Sequence, residues 1–184
     1  MRKGRIIGMA NLLKGQDGRE LLAAPEPEEN SLEVWLVDDD AGFREPLKKL
    51  LNLEPGLNCS HDFSSAPAAL AALQMLVPPD AILLDIQMPG MTGIKALPHI
   101  QQLAPTTAVL MLTTFFDPQR RQLALAAGAD NFLTKFQSIN SLVNALRVAK
   151  INRRNQATAP RQPRGTSTGK IQKFFARFLH SSRI

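Results

Sequence analysis

Five short apolar runs punctuate the middle of the chain, at 33–37, 57–62, 81–84, 107–112 and 131–134. Each is short enough for a buried strand and too short for a buried helix. The stretches between them have a helical period. Phe43, Leu47, Leu50 and Leu51 recur at helical spacing, and Ala66–Leu76 is rich in alanine and leucine. Ile94–Leu103 follows a glycine and has Pro98 in its second turn, and Pro118–Ala127 runs into Gly128, a natural helix stop. Ile139–Val148 is led by Ser138, a suitable N-cap. Continuous apolar strands alternating with single helices predict an α/β fold: a doubly wound parallel sheet of five strands, with five helices on its two faces.

Outside this segment the pattern changes. Residues 1–30 end in Ala24-Pro25-Glu26-Pro27-Glu28-Glu29-Asn30 and read as a flexible N-terminal extension. Residues 31–151 hold the alternating units. Residues 152–168, rich in Arg, Pro, Gln and Thr, read as a basic linker. Within 169–184, Ile171, Phe174, Phe175, Phe178 and Leu179 form an apolar stripe on a short basic amphipathic helix, with Lys170, Lys173 and Arg177 at other positions.

Charge follows the same division. Residues 1–30 carry five basic and five acidic side chains, 31–149 eight and eleven, and 150–184 nine and none. The net charge of +6 thus averages a mildly acidic domain and a strongly basic tail. The tail fits three occupants: the domain itself or a partner helix, an anionic membrane surface, or nucleic acid phosphates. The single cysteine, Cys59, excludes an internal disulfide and suits a reducing, cytoplasmic compartment. No apolar stretch approaches the roughly 18 residues needed to span a bilayer. The start, Met1 to Ile7, is basic with a short broken apolar run, unlike a signal peptide.

The chemistry lies at the strand ends. Asp38-Asp39-Asp40 follows Val34-Trp35-Leu36-Val37, and Asp85 closes Ala81-Ile82-Leu83-Leu84. Acids clustered there repel one another and resist burial unless a cation or proton compensates. In a doubly wound sheet, ligands bind at this rim. Asp38–Asp40 taken alone also reads as a helix start with surface acids, and Asp40 is the best cap of the three. Thr113 and Lys135 end two further strands and so come to the same rim. His61, His99 and His180 have no partners at metal-ligand or catalytic-triad spacing, and Cys59 reads as a small core residue.

Four segments in order resemble the receiver domain of two-component response regulators: Val37–Asp40, Leu83–Gly93, Val109–Thr114 and Ala127–Lys135. Thr113-Thr114-Phe115-Phe116-Asp117, with Phe136 in place of the usual proline after Lys135, is most similar to LuxR-type receivers. The remaining tail does not match their helix-turn-helix domain. The resemblance implies a flavodoxin-like fold and a phosphoacceptor at Asp85. It implies Mg²⁺ held by Asp38, Asp39, Asp85 and the Gln87 carbonyl, with Lys135 and Thr113 contacting phosphoryl oxygens. It also implies a switch in which Thr113 moves toward the phosphoryl group and Phe132 rotates inward, repacking the surface of the fourth helix, fifth strand and fifth helix. The implied partners are a sensor histidine kinase and a second receiver or a downstream protein. The expected protein is a switch with at most autophosphatase activity. One alternative is a DNA-binding transcriptional regulator using the basic tail or a partner. The other is an Mg²⁺-dependent aspartyl-nucleophile phosphatase. Gln87 counts against the phosphatase, because such enzymes place a second acid two residues after the nucleophile.

Overall fold

All five apolar runs form strands, and a helix follows each one. The structure, a computed structural model, describes residues 31–158. The strands are β1 (Leu32–Val37), β2 (Leu57–Phe63), β3 (Ala81–Asp85), β4 (Ala108–Thr113) and β5 (Asn131–Thr134). The helices are α1 (Ala41–Leu53), α2 (Ala66–Met75), α3 (Gly93–Leu103), α4 (Pro118–Ala126) and α5 (Ile139–Thr158). The sheet is parallel in the order β2-β1-β3-β4-β5. The order reverses between β1 and β3, so the crevice of a doubly wound sheet opens where Asp38 and Asp85 end their strands.

Helices cover both faces, which is why the central strands are apolar without alternation. Trp35, Val37, Ile82, Leu84 and Met111 pack on one side with α2 and α3. Val34, Leu36, Leu83, Leu110 and Leu112 pack on the other with α1 and α5. Edge strand β2 alternates instead, burying Leu57 and Cys59 while Asn58 is exposed. Its register with β1 skips Ser60 between Val34↔Cys59 and Trp35↔His61. Cys59 is a core residue as expected: burial pushes its thiol up to about 12, too high for a reactive thiolate. His61 and His99 are exposed. His180, the N-terminal extension and the amphipathic stripe lie outside the described residues.

One boundary differs from the sequence reading. Helix α5 continues to Thr158, so 152–158, read as the start of a linker, are helical. Three basic side chains at successive three-residue steps explain the extension. Arg147 donates to the Pro55 carbonyl at 2.9 Å, and Lys150 pairs with Asp80 at 2.9 Å. Arg153 clamps both Asp130 oxygens at 2.7 and 2.8 Å and reaches the Gly128 carbonyl at 3.2 Å. Asp130 also accepts the Val109 amide at 2.8 Å, so the clamp ties α5 to β4. Arg153→Ala leaves a largely buried carboxylate without its cation. It should lower stability by about 2–3 kcal/mol in urea unfolding. A loss under about 0.5 kcal/mol, the range of an ordinary surface substitution, would show that the clamp is idle.

Candidate functional site

The rim at the carboxyl ends of β1, β3, β4 and β5 gathers residues far apart in sequence. Asp38 is fully buried, Asp85 is 4% exposed, and Asp39 is exposed. One oxygen from each of the three lies within 4.8 Å of the others. Asp40 turns away and caps α1, its Oδ1 accepting the Gly42 amide at 2.8 Å. Of the three consecutive aspartates, Asp40 is thus the helix cap, while Asp38 and Asp39 group with Asp85.

Lys135 leans across this cluster. Its Nζ lies 2.6 Å from Asp38 Oδ2 and 3.1 Å from Asp85 Oδ2. The contact with Asp38 is an ion pair by distance, but its direction leaves the buried Oδ2 without a hydrogen bond. The ammonium also sits 4.7 Å from the centre of the Phe43 ring, a cation–π contact absent from the sequence reading. Burial opposes charge on Lys135, yet the contacts with Asp38 and Asp85 outweigh it and hold the ammonium above its ordinary range. Burial and the neighbouring Asp38 push Asp85 up, and Lys135 only partly offsets them. Charged Asp85 is therefore a strained acid, short of positive charge.

Backbone contacts fix the two acids. Asp38 Oδ1 accepts the Asp40 amide at 3.0 Å, and Arg44 donates to the Asp38 carbonyl at 2.7 Å. Arg44 is itself held by Asp62 at 2.9 Å, which Lys48 also pairs at 2.6 Å. Lys48, helped by Arg44, holds the Asp62 carboxyl below the usual 3.8. Its stabilising contribution is therefore complete above that value and lost as pH falls through the lower folded one. Asp62→Asn should cost about 1 kcal/mol at pH 7 and nearly nothing at about pH 2 by denaturant unfolding. A pH-independent difference would exclude the ionic origin.

After β3 the chain folds back on itself, with Gly93 N–H on the Ile86 carbonyl at 3.1 Å. A Cβ at Gly93 would stand 2.1 Å from the Asp85 carbonyl oxygen, so this close approach requires glycine. The Gln87 side chain is exposed, and the Gln87 backbone N–H donates to Asp85 Oδ1 at 3.3 Å.

The two expected switch residues are in distinct states. Thr113 is buried at the end of β4, and its carbonyl accepts the Lys135 amide at 2.8 Å. Its hydroxyl donates to the Phe115 carbonyl at 2.9 Å, so it serves the β4–α4 loop. Phe132 is only 6% exposed and meets Phe116 edge-on, ring centres 6.2 Å apart. The expected inward rotation therefore has no exposed ring to start from: Phe132 is already inside, under an outer ring that is 59% exposed. Phe136 is 79% exposed beside Lys135, and no peptide among the described residues is cis.

The residues fit a small divalent cation. Two buried carboxylates and an exposed third offer only oxygens, one buried oxygen lacks a hydrogen bond, and the lysine alone does not neutralise them.

Comparison with known proteins gives the same family. The response regulator receiver domain description matches residues 34–147. The transcriptional regulatory protein DegU of Brevibacillus brevis is 31% identical over 120 residues, covering 65% of this chain and 50% of DegU. The DNA-binding transcriptional regulator NtrC of Salmonella typhimurium is 37% identical over 110 residues, covering 60% of this chain and 23% of NtrC. The crystal structure of a LuxR-family two-component response regulator from an Aurantimonas species superposes with a TM-score of 0.62 at 27% identity, covering 66% of this chain and 86% of that one. The chain spans half or less of these two regulators' lengths. By match and fold, the chain belongs to the response regulator receiver domain family of two-component signalling.

Proposed function

We propose that the chain is a cytoplasmic phosphorylatable switch that accepts phosphate on Asp85 from a sensor histidine kinase. The observation that carries this reading is the buried pair Asp38 and Asp85 bridged by Lys135 at a sheet rim. Asp85 sits at the end of β3 with one oxygen on Lys135 and the other on the Gln87 amide. A carboxylate oxygen there attacks the phosphorus of a phosphohistidine. The phosphorus–nitrogen bond breaks, and the imidazole leaves and takes up a proton. Asp38, Asp39, Asp85 and the Gln87 carbonyl are the group that would hold Mg²⁺. The bound ion supplies charge neutralisation at the phosphoryl oxygens. Lys135 then exchanges a carboxylate for a phosphoryl oxygen, and the Thr113 hydroxyl leaves Phe115 for another.

The switch follows from that exchange. Release of Phe115 frees the β4–α4 loop, and with it the Phe116 ring that covers Phe132. Charge at Asp85 is thereby read on the α4–β5–α5 surface, where a downstream protein or a second receiver would dock. No turnover is assigned. The phosphatase reading lacks its second acid, since Gln87 occupies that position, exposed. DNA binding belongs to the name of NtrC and transcriptional regulation to that of DegU, and the match covers half or less of each.

The test is incubation of the chain with acetyl phosphate and Mg²⁺, followed by intact-mass measurement. One phosphoryl group should be gained, and chelation should prevent it. No gain, or a gain indifferent to chelation, would sink the reading.

A further inference from the structure

A cavity of about 210 Å³ opens between α1, β5 and α5, lined by Phe43, Pro46, Leu50, Ile139 and Leu142 together with Lys135. It is smaller than the roughly 300 Å³ of the smallest drug-sized ligand sites, which suits a side-chain anchor better than a metabolite. Leu50 is 48% exposed, and Leu53, one turn further along α1, is 78% exposed. This apolar strip plays no part in the phosphoryl chemistry, yet Lys135 belongs to both.

We propose that the strip is the docking groove for the chain's own segment 169–180, with one or two of its phenylalanines seated in the cavity. The segment repeats Ile171, Phe174, Phe175, Phe178 and Leu179 at helical spacing, a stripe that requires an apolar surface to cover it. The tether reaches. From Leu142 to the end of α5 at Thr158 is about 24 Å at the helical rise. The intervening residues 159–170 span up to about 40 Å when extended. Tethering gives the segment an effective concentration in the millimolar range, well above that of a second copy in dilute solution.

Electrostatics separate this occupant from the others. Residues 31–158 carry eleven basic and eleven acidic side chains, so the folded domain exerts no net pull on the basic tail. Docking is driven by apolar contact and persists in high salt, whereas capture by anionic lipid or nucleic acid fails there. A seated segment lies against Lys135 and covers one side of the acid rim, and so links the tail to the site.

The test places a nitroxide on the full chain through Ser181→Cys and reads amide signals by NMR. Native Cys59 is buried with its thiol at about 12 and stays unlabelled. The label should weaken the amides of Leu50, Ile139 and Leu142, leave those of α2 and α3 on the opposite face, and do so equally at high salt. Phe175→Glu in the tail and Leu50→Glu in the groove should each abolish the effect with Tm unchanged. Attenuation on the α2–α3 face, attenuation dispersed by salt, or none at all would overturn the proposal. So would transfer to an unlabelled-spin, isotope-enriched second copy, which would make the groove a dimer interface. None of these readouts requires phosphorylation, so the result stands apart from the proposed function.

Discussion

Asp85→Asn should abolish phosphorylation by acetyl phosphate and yield a more stable protein. The amide cannot attack phosphorus, and no neighbouring acid replaces it: Asp38 is fully buried and Asp39 lies on a different strand end, exposed. The gain in stability follows from the strain at the site. Burial and Asp38 raise the Asp85 pKa above the ordinary 3.8. The folded protein therefore holds that proton more tightly than the unfolded chain, and wild-type stability falls as pH rises through the interval above 3.8. Asparagine removes the penalty. The variant should unfold about 1–2 kcal/mol later than wild type at pH 7, a gain that shrinks below pH 4. Equal phosphorylation of the variant would refute the acceptor. A destabilised variant would refute the strain.

Gly93→Ala tests the support beneath that acid. The new methyl would fall 2.1 Å from the Asp85 carbonyl oxygen and 3.0 Å from the Met111 Cε. Met111 is flexible at its tip, but the carbonyl ends a buried central strand and cannot retreat. The β3–α3 loop must move instead, and Gly93 N–H then loses the Ile86 carbonyl. Overpacking of this kind costs about 1–3 kcal/mol. Because displacement by an ångström or so can slow a positioned reaction by about 100-fold, phosphorylation should slow by roughly 10- to 100-fold. Rate assays with acetyl phosphate, read beside urea unfolding, separate the two losses. Wild-type rate and stability together would mean that the close approach is not structural.

The strands, the sheet and the gathering of acids at its rim were legible in the sequence because each carried a local signal. Apolar runs of strand length separated by helical periods leave few topologies, and Asp85 and Thr113 end strands while Asp38, Asp39 and Lys135 follow them. Asp40 could be told from its neighbours because it stands immediately before α1, where its Oδ1 accepts the Gly42 N–H. Contacts that join distant residues carried no such signal. The length of α5 depends on Arg153 finding Asp130, 23 residues away. Composition at 152–158, by contrast, speaks only for solvent. The place of Lys135 over Phe43 and the Asp62–Arg44–Asp38 relay are likewise tertiary. The state of the switch was hidden for the same reason. Only the packed structure shows Thr113 engaged by Phe115 and Phe132 already covered by Phe116.

The most direct measurement is the identity of the carboxylate that carries the phosphoryl group. After acetyl phosphate treatment, borohydride reduction converts an acyl phosphate to an alcohol that peptide mass mapping can locate. The account predicts reduction at Asp85 alone, absent in Asp85→Asn and absent without Mg²⁺. Reduction at Asp38 or Asp39, or at no aspartate while the chain still gains phosphate, would contradict it.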